Sequence, residues 1–106
     1  MWLGRLKFVL TNLLCPAVIY LRLMYYIYIL QSEKDSRLYI GYTTDLRKRI
    51  QEHNSGKSLA TKPFQPYRLV FYEAFLNKVD AKAREKYLKS GWGFRSIKKM
   101  LQNYLD

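Results

Sequence analysis

The sequence predicts an α+β fold: a small three-stranded antiparallel sheet flanked by helices, in the order β-β-α-β-α-α. Three observations carry this reading. Two β-branched and aromatic stretches, Tyr25–Gln31 and Leu38–Tyr42, flank a polar, turn-like segment, Ser32–Arg37. A third such stretch, Arg68–Phe75, follows a loop containing Pro63 and Pro66. The intervening and following segments carry helix start and stop signals.

The first two strands are close enough in sequence to form an antiparallel hairpin. Beyond them, Thr44 can cap a helix and Asp45 suits its positive end. That helix runs to about His53, where Asn54, Ser55 and Gly56 end it. Residues Ser55–Pro66 read as a loop bearing Lys57 and Lys62. After the third strand, Asn77 with Asp80 three residues later resembles a capping box, opening a helix that Gly91 closes. Ile97, Met100, Leu101, Tyr104 and Leu105 recur at helical spacing and predict one apolar face on a final helix.

With 106 residues there is room for one small domain and a modest core. The composition, 49% hydrophobic and 25% charged, is that of a globular chain. Its character changes near Met24. Residues 1–23 hold Arg5, Lys7 and Arg22, no acid, and an apolar run from Phe8 to Leu21 interrupted by Asn12 and Pro16. That run falls short of the roughly 20 residues that span a bilayer. It reads as an N-terminal extension outside a domain 24–106. A packing or membrane-surface helix and a targeting signal are the other readings.

The net charge is +11, and the 16 cations and 8 acids beyond residue 23 leave +8 there. Such a surface is drawn to polyanions, nucleic acid above all, through counterion release. Cys15 is the single cysteine, which excludes an internal disulfide and a cysteine-based zinc site and fits a reducing cytoplasm. The common nucleophile and cofactor signatures are missing, and one histidine cannot build a multi-histidine zinc centre.

What remains is tyrosine, arginine, histidine and a few acids. Tyr28 and Tyr39 stand eleven positions apart on the paired strands, where one hairpin face can hold both; singly, each reads as an ordinary half-buried phenol. Arg49 and His53 are spaced i, i+4, beside the Leu46/Ile50 stripe of the first helix. Taken alone they read as a solvated cation and a packed histidine. Glu85 lies at the edge of an apolar stripe, one turn after Ala81, and its bland reading is a salt bridge to Lys82, Arg84 or Lys89.

Together these residues form an ordered set. Tyr26-Ile27-Tyr28, then Tyr39-Ile40-Gly41, then Asp45 to Arg49 with His53, then Arg84-Glu85-Lys86 resembles the GIY-YIG nuclease family. The resemblance covers roughly Tyr25 to Leu105, and the compact form looks like the small stand-alone bacterial members. Tyr26 replaces the first glycine of the motif, and Tyr42 stands where some relatives have a lysine.

The resemblance implies a metal-dependent endonuclease that hydrolyses DNA phosphodiester bonds. Glu85 would anchor one divalent cation, Mg²⁺ or Mn²⁺, with waters completing its shell. Arg49 would hold the scissile phosphate. Tyr28 or Tyr39 would be the general base, with His53 orienting the water or sharing the proton. A phenol has an ordinary pKa of about 10, so the base requires a basic surround that lowers it. Arg47, Lys48, Lys57, Lys62 and Arg68 are the expected contacts to the DNA backbone, which give affinity without sequence reading. Nothing in the chain resembles a second recognition domain, which suggests selection of DNA by structure. The rival reading is a non-catalytic nucleic-acid-binding module that uses the same charge and tyrosines for stacking. No stable membrane association is expected.

Overall fold

The computed structural model describes residues 23–105; the apolar run Phe8–Leu21 lies outside them. The chain forms β1 (Tyr25–Ser32), β2 (Leu38–Thr43), α1 (Leu46–Asn54), a short 3-10 turn (Lys62–Phe64), β3 (Tyr67–Phe75), α2 (Lys78–Leu88), α3 (Gly91–Met100) and α4 (Gln102–Leu105). The three strands make one antiparallel sheet in the order β2-β1-β3, so the most apolar strand is central. The expected α+β class and element order are therefore present.

Strand alternation divides the side chains into two layers. Ile27, Ile29 and Ile40 pack with Ala81, Leu88 and Ile97, beneath α2 and α3. Tyr28, Leu30 and Tyr67 form the second cluster with Leu46 and Ile50, beneath α1. A register shift between Ile29 and Leu30 lets β3 present both Val70 and Phe71 to the first cluster.

The helix ends depart from expectation in three places. Asp45, not Thr44, caps α1: its carboxylate accepts from the Lys48 amide, while Thr43 Oγ1 accepts from the Asp45 amide. Asn77 caps α2 as expected, accepting from the amides of Val79 and Asp80. Gly91 does not close that helix; α2 ends at Leu88, and Ser90 caps α3, which begins at Gly91. The glycine that this corner requires is Gly93, because a side chain there would collide with the backbone of Tyr87 and Leu88. The last apolar stripe is also broken. Ile97 is buried and Leu101 packs on the core, but the chain bends at Leu101 and Met100 and Tyr104 stay exposed. Among the described residues no helix is long and apolar enough to cross a membrane.

Candidate active site

Four of the five side chains singled out above converge on the sheet face beneath α1. Tyr28 pairs with Gly41 and Tyr39 with Leu30, so the pleat sends both phenols to the same side. Their ring centroids are 6.4 Å apart. Gly41 supplies the space: a Cβ there would stand 2.8 Å from Tyr28 Cε2 and nearer still to Cζ and the hydroxyl oxygen. The third residue of the Tyr39-Ile40-Gly41 motif thus lets the Tyr28 ring lie across β2.

The helix α1 brings Arg49 and His53 to this face, one turn apart. His53 is fully buried, and its Nε2 is 2.8 Å from the Tyr28 hydroxyl. Its ring sits edge-on to Tyr39, Tyr28 and Tyr67, with centroids 5.0, 5.7 and 6.1 Å away. Its Nδ1 is 2.7 Å from Oγ1 of Thr61, in the loop before β3. The Arg49 guanidinium donates to Glu52 Oε1 at 3.1 Å, and it lies close enough to Tyr28 for its charge to favour the phenolate.

Burial and the neighbouring charges set the ionisation of these groups. Burial pushes the Tyr28 phenol up to about 12, with Tyr39 and Glu85 adding to the rise and Arg49 opposing it. The expectation that a basic surround lowers this pKa is therefore corrected: desolvation of the phenolate outweighs one guanidinium. His53 is held down at about 4, first by burial and then by the Arg49 charge, against a smaller opposing pull from Glu52. It is neutral at ordinary pH. Burial disfavours the Arg49 charge, but the neighbouring Tyr28 and Glu52 prevail and raise its pKa.

Glu85 approaches from α2, the helix on the other layer. Its side chain is 14% exposed, and Oε1 and Oε2 accept from Lys82 at 3.1 Å and Lys89 at 3.0 Å. Burial works against its charge, but these two ammoniums lower its pKa, so it is ionised. Among the described residues no three His, Cys, Asp or Glu side chains gather into a metal-binding cluster. A single ionised carboxylate nevertheless fits a hard divalent cation that keeps several waters and takes phosphate oxygens. Lys82 and Lys89 are each half exposed. Lys82 also lies 4.4 Å above the centre of the Tyr42 ring, so an ammonium from α2 stands over that position of the motif.

Arg47 and Lys48 are exposed on α1, and Lys57 and Lys62 are exposed on the loop that follows. Arg68 is the second residue of β3, where it pairs with Glu33 at 2.9 Å and reaches Tyr104, so it stands apart from the loop cations. Two site residues were not singled out in the sequence. Gly41 lay within the quoted motif, without a stated role. Thr61 had no local signal, because its partner is eight residues away and the connection depends on how the loop folds back.

Residues 24–95 match the GIY-YIG catalytic domain. A UPF0213 protein of Clostridium perfringens is 46% identical over 67 residues, covering 62% of this chain and 71% of the relative. A UPF0213 protein of Staphylococcus haemolyticus is 43% identical over 67 residues, covering 62% and 80%. The solution NMR structure of a UPF0213 protein from Bacillus halodurans is 36% identical, covers 73% of this chain and 84% of that one, and superposes with a TM-score of 0.47. With the catalytic-domain match extending from the first strand into α3, the chain belongs to the GIY-YIG family.

Proposed function

We propose that this protein is a metal-dependent endonuclease that hydrolyses DNA phosphodiester bonds and selects its substrate by structure. The observation that carries the reading is the Tyr28–His53 hydrogen bond, with the Arg49 charge near enough to act on the same phenol. A binding module has no need of a buried phenol joined to a neutral imidazole beneath an arginine.

The ionisation of the pair shapes the chemistry. A phenol at about 12 is not a standing base. It can take a proton from water only as it gives its own away, and His53 Nε2 is the acceptor in contact with it. In one concerted step the water hydrogen passes to the Tyr28 oxygen while the Tyr28 hydrogen passes to His53. The water oxygen bonds to phosphorus and the bond to the leaving sugar oxygen breaks. The imidazolium forms only as negative charge builds on the phosphate. Arg49 grips two phosphate oxygens and stabilises that charge. Tyr39, edge-on to His53, holds the imidazole in place. A divalent cation, Mg²⁺ or Mn²⁺, held by Glu85 would supply charge neutralisation at the phosphate and leaving oxygen. Arg47, Lys48, Lys57 and Lys62 contact the flanking backbone, and Arg68 does so once released from Glu33.

The test is a panel of labelled linear, nicked, flapped and branched DNAs incubated with Mg²⁺ or Mn²⁺. Wild-type protein should cut at least one of them, and excess EDTA should abolish cutting. Glu85→Ala should keep the fold and DNA binding but lose cleavage. Tight binding of every DNA without cleavage would replace this reading with the non-catalytic module, and full activity in EDTA would remove the cation from it.

A further inference from the structure

We infer that Thr61 is a positioning residue: its hydroxyl holds His53 in the tautomer with the proton on Nδ1, which leaves Nε2 open to take the Tyr28 proton. The inference rests on the catalytic reading above for its consequence, but on the hydrogen-bond accounting alone for the tautomer.

The accounting has one fixed end. It is the Ser58 carbonyl, which can only accept and lies 3.5 Å from Thr61 Oγ1. Leading away from it are three groups with 1% exposure or less, Thr61, His53 and Tyr28, joined at 2.7 and 2.8 Å. Each hydroxyl has one hydrogen, and the neutral imidazole has one. One direction uses every hydrogen. Tyr28 donates to Nε2, Nδ1 to Thr61, and Thr61 to Ser58. The reversed tautomer would place an N–H against the Tyr28 oxygen. The phenol hydrogen would then be buried with no partner, at a cost of about 1–3 kcal/mol.

The direction matters because only a bare Nε2 can take a proton from Tyr28. With the hydrogen on Nε2, the imidazole would donate to the phenol and the relay would stop. Thr61 is thus placed to act on a proton that it never touches. It reaches the site from the loop between α1 and β3, which also sets where Lys57 and Lys62 lie.

Two variants separate this role from packing. Thr61→Val keeps the shape and removes the hydroxyl, and Thr61→Ser restores it. Two-bond ¹H–¹⁵N spectra of His53 read the tautomer directly in the full-length protein without DNA. Wild type and Thr61→Ser should show a protonated Nδ1 and a bare Nε2, and Thr61→Val should lose that fixed pattern. In single-turnover cleavage, Thr61→Val should fall by roughly 10–100-fold, as for loss of a group that orients a histidine, and Thr61→Ser should stay within a few fold of wild type. A protonated Nε2 in wild type overturns the inference. So does a Thr61→Ser variant as impaired as Thr61→Val, because a packing role predicts that. If no DNA is cut by the wild type, the endonuclease reading fails while the spectra still decide the tautomer.

Discussion

Replacing Gly41 with alanine tests the site at the point where its geometry is tightest. The backbone of Gly41 is ordinary strand, so alanine meets no conformational penalty there. Removing a strand glycine even favours folding by about 0.5–1 kcal/mol. The new methyl, however, would stand 2.8 Å from Tyr28 Cε2 and closer to Cζ and the hydroxyl, where carbon contacts want about 3.5–4 Å. Tyr28 is 1% exposed and must shift by roughly 1 Å, which also breaks its 2.8 Å bond to His53. Overpacking costs about 1–3 kcal/mol, and the broken buried bond about 1–3 more. Steric cost therefore outweighs the entropic gain, leaving a net loss of about 1–5 kcal/mol. Urea unfolding measures this loss. Single-turnover cleavage of the variant, at a temperature where it remains folded, should fall at least about a hundredfold. The Tyr28→Phe background removes the nearest clashing atom, so Gly41→Ala should cost less there than in wild type. Equal costs in the two backgrounds, or a Gly41→Ala protein with normal stability and cleavage, would refute the reasoning.

Arg49→Lys should lower the cleavage rate by on the order of a hundredfold or more with little change in affinity, because lysine cannot reproduce the two-pronged grip that the proposed mechanism asks of Arg49 at the phosphate. Lys48→Ala, altering an exposed cation, should instead weaken binding and cut nearly normally once DNA saturates; identical behaviour of the two in both assays would remove Arg49 from the site. His53, held at about 4 against an ordinary 6.5, makes the fold acid-sensitive. The unfolded chain binds its proton first as pH falls, so stability present above about pH 6.5 is lost towards pH 4, on the order of 2–3 kcal/mol in all. The stability difference between wild type and His53→Gln should narrow by that amount between pH 7 and pH 4, and parallel profiles would contradict it. A chain beginning at Met24 should fold and cut like the full chain; an insoluble or inactive product would place Phe8–Leu21 in the core.

The features legible in the sequence are those set by local periodicity. Strand alternation and the polar turn were enough to place Tyr28 and Tyr39 on one face, and the register obeys them. The i, i+4 spacing was enough to put Arg49 beside His53, because helical geometry is the same wherever the helix lies. Glu85 read equally well as a salt-bridged acid and as a metal ligand, and its bonds to Lys82 and Lys89 leave both roles compatible with one carboxylate. Packing decided the rest. Gly91 looked like a helix end because glycine often is one, but the corner closes on Gly93, where α3 meets the backbone of α2. The last stripe had helical spacing throughout, yet the helix stops at Met100 and the chain turns at Leu101, which still packs on the core. Charge counting pointed to a lowered Tyr28 pKa. Burial, which composition cannot reveal, drives it up instead, and the fold sets His53 Nε2 2.8 Å from the same phenol. Thr61 became visible only in the folded chain, since a hydrogen bond between a loop and a helix depends on the path between them and leaves no periodic trace.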